Sequence, residues 1–60
     1  MATTITGREL NEAAESAMLV MAADARLVEV EVTVPLTERT SGRYAVSRSG
    51  SVRRLGFVVA

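Results

Sequence analysis

The clearest pattern in the chain is a stretch in which valine alternates with polar residues. Glu29, Glu31 and Thr33 stand between four valines, and Pro35 follows the last of them. A period of two predicts a β-strand with one buried face and one open face. Because proline cannot donate a ladder hydrogen bond, it ends the pattern or marks an edge. The sequence therefore predicts a strand over residues 27–34.

The segment in front of this strand has apolar residues at helical spacing and lacks a helix breaker. Thr6 and Glu9 fit a capping box, in which each side chain satisfies a backbone amide of the other. The apolar residues gather on one side of a helical wheel: Leu10, Ala13, Ala14, Ala17, Val20 and Met21. Leu19 projects from the opposite, polar side. We predict a helix over residues 7–25.

The last third of the chain has the pattern of a β-hairpin, with strands over residues 43–48 and 52–59. A two-residue turn at Ser49-Gly50 pairs Tyr44 with Leu55. This register places Tyr44, Val46, Leu55, Phe57 and Val59 on one face, and Arg43, Ala45, Ser47, Val52, Arg54, Gly56 and Val58 on the other. Gly56 is expected at a bulge or a close backbone approach. Gly42 is expected in the polar loop before the hairpin.

Together these elements predict an α+β fold, in which one N-terminal helix packs on a three-stranded antiparallel sheet in the order α-β-β-β. A chain of 60 residues forms one domain, residues 1–60, and buries only about 60% of its unfolded surface. Its core is also thin, since Tyr44 and Phe57 are the only aromatic residues and most other apolar residues are Ala or Val. Without cysteine there is no disulfide to add stability, so association with a partner is the remaining source.

Residue types needed for catalysis are scarce. The chain has no His, no Cys and no Lys, so a serine nucleophile has no ordinary base and a transition metal has no ordinary ligand. Glu29 and Glu31 lie about 6.8 Å apart on one strand face, a spacing that resembles a catalytic carboxylate pair. Because 60 residues hardly build a pocket that raises the pKa of one carboxyl, a solvated strand face is the favoured interpretation. The four glycines form no phosphate-binding motif. We predict no enzymatic activity, no catalytic or metal site and no cofactor.

Charge divides the chain into two halves. Residues 1–38 hold all seven acids and two arginines, a net of −5, whereas residues 39–60 hold five arginines and no acid, a net of +5. Three interpretations stay open. The halves can neutralise each other across strands, acidic and basic faces of separate copies can meet, or the arginines can bind phosphate. The arginines that could bind phosphate in the third interpretation are Arg39, Arg43, Arg48, Arg53 and Arg54.

The C-terminal strand also has two interpretations. It can be the core-facing third strand, or an edge strand that adds to the sheet of a partner, because its apolar side chains point to both faces and it carries no charge after Arg54. The candidate partner-binding residues are Arg43, Arg53, Arg54, Phe57, Val58 and Val59. Glu29 and Glu31 form the candidate charge-complementary face.

These features favour a small non-catalytic assembly protein that self-associates or docks on a larger complex. Its most concrete form is a phage virion accessory such as a capsid decoration subunit, because a chain with seven arginines and no lysine is typical of GC-rich genomes. A nucleic-acid-binding regulator that uses the arginine-bearing hairpin is the alternative, and an antitoxin-like or inhibitory module is a third. With no signal-peptide pattern and no long apolar run, we expect a cytoplasmic or virion location and no membrane partner.

Overall fold

The computed structural model describes residues 3–60. Its elements in chain order are β1 (Thr4–Thr6), α1 (Leu10–Ala23), β2 (Glu29–Pro35), β3 (Thr40–Ser47) and β4 (Val52–Val59). The strands form one mixed sheet in the order β1-β2-β3-β4. The predicted α+β class is therefore confirmed, whereas the predicted three-stranded antiparallel sheet is wrong.

The additional strand β1 lies in a segment that the sequence assigns to the start of the helix. It pairs with β2 in parallel, with Ile5 opposite Val32, and α1 provides the crossover between the two strands. Because Thr6 belongs to this strand, the predicted capping box does not form. The helix begins at Leu10 after Glu9, whose side chain makes no capping hydrogen bond.

The core lies between α1 and the first three strands. Ala13, Ala17 and Met21 of the helix are buried against the alternating valines of β2, represented by the fully buried Val32, and against Val46 of β3. Alanine at the contact lets the helix approach the sheet closely while each contact buries little area. The helix face and the strand face predicted from the two periodicities are the faces that meet.

Strand β3 is longer than predicted and includes Gly42. This glycine is buried and pairs with Val34 of β2, instead of lying in a loop. A Cβ placed at Gly42 would come within 2.8 Å of the Tyr44 ring, so the ring lies over this position on the same strand. The absence of a side chain at residue 42 thus makes room for the Tyr44 ring, which is partly buried and packs against the core.

The turn between β3 and β4 differs from the predicted two-residue turn. Ser47 and Ser51 close a three-residue loop through the bond from the Ser47 N–H to the Ser51 carbonyl, 2.9 Å long. Gly50 completes this loop with φ of +93°, a conformation typical of the glycine that ends a three-residue hairpin. The register next to the turn is therefore shifted by one residue, and Val46 faces Val52 instead of Arg53.

A β-bulge restores the predicted register farther along the hairpin. Tyr44 pairs with Arg54, but the preceding residue Arg43 pairs with Gly56, so Leu55 is the additional residue on β4. The expectation of a bulge at Gly56 is thereby confirmed. Beyond the bulge, Phe57 and Val59 share the face that also carries α1, as predicted.

Candidate interaction site

Strand β4 is the part of the sheet that the helix leaves open. The helix packs on β1, β2 and β3, whereas β4 packs on β3. A helix is about 10–12 Å wide with its side chains, and strands lie about 4.8 Å apart, so one helix covers little more than two strands. Every residue of β4 except Gly56 is exposed. This strand therefore lies outside the core, and its assignment as a core-facing third strand is wrong.

The open strand is nevertheless apolar. Its exposed hydrophobic side chains are Val52, Leu55, Phe57, Val58 and Val59. Phe57 is 53% exposed and Val59 72% exposed. Single exposed hydrophobic residues are common on protein surfaces, but Val52, Phe57 and Val59 share the helix-bearing face of one edge strand, and such a cluster marks an interaction site.

Exposed apolar residues of the helix form one side of a groove at the turn end of the hairpin. Met18 and Leu19 are exposed on the side of α1 that borders the uncovered strands, and they line a groove with Val46 and Gly50 at the turn end of the hairpin. The sequence singles out Leu19 as an apolar residue on the polar side of the helix. The structure places it beside the open half of the sheet.

Two hydrogen bonds at the ends of β4 fix which of its backbone groups point away from β3. The Ser47 N–H donates to Ser51 near the turn, and the Ala60 N–H donates to the carbonyl of Arg39 over 2.7 Å at the far end. Hydrogen-bonded and non-hydrogen-bonded pairs alternate along an antiparallel ladder. Ser51 and Ala60 therefore both direct their backbone groups to β3, and every second residue from each of them toward the bulge does the same. The residues between these direct their backbone groups to the free edge, and they are Val52, Arg54, Phe57 and Val59.

Arg54 lies on the helix-bearing face of the sheet, not on the open face predicted for it. Its guanidinium carbon is 5.2 Å from the centre of the Phe57 ring, a cation–π distance. The pair is three residues apart on one strand and shares a face because the bulge at Leu55 lies between them. The prediction for Arg54 is wrong because it assumed a two-residue turn, which would place Arg54 on the opposite face of the sheet.

On the opposite face of the sheet, acidic and basic side chains pair within the molecule. Arg43 donates to Glu31 in a half-buried ion pair, and Arg53 donates to Glu29 over 3.4 Å. Thr4 adds a hydroxyl hydrogen bond to Glu31 over 3.3 Å. Glu31 and Glu29, the residues of the predicted charge-complementary face, thus pair with Arg43 and Arg53 of the same copy. These contacts are the cross-strand neutralisation that is one of the three interpretations of the charge pattern.

Arg48 has a structural role that the sequence does not reveal. It reaches from the β3–β4 turn to the loop after the helix, where its Nε donates to the Leu27 carbonyl over 3.1 Å and its Nη2 to the Asp24 carbonyl over 2.9 Å. Nη2 also donates to the Leu27 carbonyl. The backbone N–H of Arg48 donates to Val28. This side chain fastens the hairpin to the end of the helix.

Asp24 at the end of the helix is held by Arg26. The side-chain hydrogen bond from Arg26 and then its backbone N–H lower the pKa of this carboxyl, and the positive charge of Arg48 adds to the effect. Arg26 is exposed and Asp24 is half-buried, and their contact shapes the turn after α1.

Of the five arginines in the basic half, three are engaged inside the molecule. Arg43 and Arg53 pair with glutamates, and Arg48 binds backbone carbonyls. Within residues 3–60, Arg39 and Arg54 make no ion pair. They lie on different parts of the hairpin, so the structure does not gather the predicted phosphate-binding set into one free cluster.

Comparison with known proteins adds no relative. No family model, no curated protein and no solved structure matches this chain. In the described part of the chain, no helix has the length and apolar character needed to cross a membrane. Carboxylates among residues 3–60 do not gather in threes around a position where a metal ion could bind.

Proposed function

We propose that this protein is a non-catalytic assembly module that associates with further copies of itself through the open half of its sheet. The observation that carries the proposal is β4: an apolar strand, exposed on its helix-bearing face and free along its outer edge. An exposed, long and apolar edge pairs readily with another chain, and natural proteins blunt such edges unless a partner covers them.

The two edges of this sheet support the same conclusion by contrast. At one end, β1 has three residues, two of them threonines, and the helix packs beside it. At the other, β4 has eight residues without a charge beyond Arg54. Short edges and covered edges resist pairing, so the first edge has the protection that the second lacks.

Stability gives a second reason for association. Among residues 3–60, the buried core consists of nine small or medium side chains, with Met21 the largest of those that are fully buried. A domain of this size is marginally stable alone, and binding of a partner to the folded state adds stability by mass action. Covering β4 would bury Phe57 and its valine neighbours, which are exposed in the single copy.

The wider setting that we propose is a virion or comparable large complex, in which many copies of a small chain meet. Its support is the use of arginine for all seven cations, a composition typical of GC-rich genomes. The internal ion pairs of Arg43 and Arg53 argue against a nucleic-acid-binding role for the hairpin. An inhibitory module that adds β4 to the sheet of a host protein is the remaining alternative.

Measurement of mass across protein concentration by sedimentation equilibrium tests the proposal with a matched pair of variants. Val28 and Val59 are both 72% exposed, but Val28 lies before β2 and Val59 on the free edge. We expect the wild type and Val28→Ser to associate alike and Val59→Ser to associate at least about tenfold more weakly, equivalent to about 1.4 kcal/mol. A wild type that stays monomeric at every concentration would contradict self-association and leave the host-partner alternative.

A further inference from the structure

The free edge of β4 is complementary to itself in one antiparallel register. The residues with outward backbone groups are Val52 and Arg54 before the bulge, and Phe57 and Val59 after it. A twofold axis between Leu55 and Gly56 places Val52 opposite Val59 of a second copy, and Arg54 opposite Phe57. Each residue then meets one whose amide and carbonyl also point outward, which is the requirement for a hydrogen-bonded pair.

The side-chain faces agree with the same register. Paired residues of an antiparallel ladder lie on one face of the sheet. Val52, Arg54, Phe57 and Val59 all lie on the helix-bearing face, while Arg53 and Val58, which this register also pairs, both lie on the opposite face. In a regular strand, a twofold axis between two adjacent residues would pair residues whose side chains lie on opposite faces of the sheet. The extra residue Leu55 shifts the alternation by one position, so that the paired residues share a face.

Charge favours the antiparallel arrangement as well. Both arginines of β4 stand in its first half, so parallel pairing in register would oppose Arg53 to Arg53 and Arg54 to Arg54. The antiparallel register separates them and sets each Arg54 beside an aromatic ring of the other copy. Arg54 makes a cation–π contact with Phe57 of its own copy, and in this register it also lies beside Phe57 of the second copy.

We infer that two copies of this chain pair β4 with β4 about this axis, which joins their sheets into one eight-stranded sheet with both helices on the same face. The inference rests on the proposed function, for which it names the partner and the register. Four hydrogen-bonded residue pairs would supply about eight hydrogen bonds. The grooves beside the two helices, each lined by Met18 and Leu19, would then face each other across the apolar strip of Val52, Phe57 and Val59.

Disulfide formation between two single-cysteine variants tests the register, because the natural chain has no cysteine. Arg53 and Val58 form a non-hydrogen-bonded pair across the axis, with Cα atoms about 4.5 Å apart. A mixture of Arg53→Cys and Val58→Cys should therefore cross-link under mild oxidation. Each variant alone should not, since Arg53 lies about 16 Å along the strand from its own counterpart and Cα atoms more than about 7 Å apart cannot be bridged.

Mass spectrometry separates the mixed disulfide from the two like disulfides, which differ in mass, and Thr4→Cys on the opposite edge of the sheet controls for random collision. We expect the mixed Arg53→Cys and Val58→Cys product to exceed the others by about tenfold or more. A dominant like disulfide, or no disulfide in a sample whose mass shows association, would overturn this register and leave the proposed function standing. A monomer at every concentration would remove both.

Discussion

The two halves of this sheet, β1 to β3 under the helix and β4 outside it, both carry apolar side chains on the helix-bearing face, but only the first half buries them. In β2, alternate valines are buried beneath α1, whereas in β4 the apolar residues on the same face are exposed. The difference lies in what covers each strand, since a single 14-residue helix is wide enough for about two strands. Alternation therefore shows that a strand has an apolar face, and the number of covering elements decides whether the same chain buries it.

Aspartate in place of an apolar residue should have opposite effects in the two halves of the sheet, and this is the largest difference that we predict. Val32→Asp puts a carboxylate at a position that is completely buried between α1 and β2, where it finds no partner. An unpaired buried charge costs about 3–5 kcal/mol, which exceeds what a small core can lose. We expect this variant to be unfolded, as measured by circular dichroism and denaturant titration.

Phe57→Asp should have the opposite result, because the side chain is 53% exposed and lies outside the core. It should keep the circular dichroism spectrum of the wild type at low concentration and lose the ability to associate. Phe57→Leu serves as the control that retains an apolar side chain. If Phe57→Asp unfolds as completely as Val32→Asp, then β4 is part of the core and the comparison of halves is wrong.

Proline at two adjacent residues of β4 tests the edge itself. The Val58 N–H points to β3, whereas the Val59 N–H points to the free edge. Val58→Pro should therefore destabilise the hairpin by about 1 kcal/mol or more, because it removes a ladder hydrogen bond, while Val59→Pro should leave the monomer stable and weaken association. Thermal unfolding and sedimentation measure the two effects. Equal loss of stability in both variants would contradict the assignment of the outward amides.

Periodicity predicts the elements that bury one face and misses the element that is too short to have a period. The alternation around Val32 and the helical spacing of Ala13 and Ala17 identify β2 and α1 with their correct faces. Strand β1 has three residues, and its pairing partner lies 27 positions away, so no local pattern could distinguish it from a helix start. Its parallel pairing is a consequence of the crossover by α1.

The candidate site is predictable where it depends on composition and not where it depends on turn geometry. Phe57 and Val59 are found from apolar alternation, and Glu31 with Arg43 from cross-strand charge. Arg54 is assigned to the wrong face because a three-residue and a two-residue loop fit the same sequence around Gly50. The carbonyl-binding role of Arg48 has no sequence signal, since it depends on two loops that meet only in the fold.

The Arg48 side chain joins the β3–β4 turn to the loop after α1, and its removal tests how much this contact stabilises the fold. Arg48→Ala deletes hydrogen bonds to the carbonyls of Asp24 and Leu27, which then depend on water. We expect a loss of about 1–2 kcal/mol in the free energy of unfolding, below the upper end of the about 1.5–3 kcal/mol typical of hydrogen bonds to charged groups, because Arg48 is exposed. Arg39→Ala is the matched control, because Arg39 makes no ion pair among the described residues and should change stability by less than about 0.5 kcal/mol.

The smallest effect that we predict is the influence of salt on association. If acidic and basic faces of separate copies met, raising NaCl from about 0.05 to about 0.5 M would screen the attraction and weaken association strongly. Glu31 and Glu29 already pair with Arg43 and Arg53 inside each copy, whereas the free edge is mainly apolar. We therefore expect the association constant, measured by sedimentation, to change by less than about threefold over this range. A fall of tenfold or more would show that the glutamates and arginines of the open face leave their internal partners to join two copies, and the contact would then belong to the charged face of the sheet instead of the β4 edge.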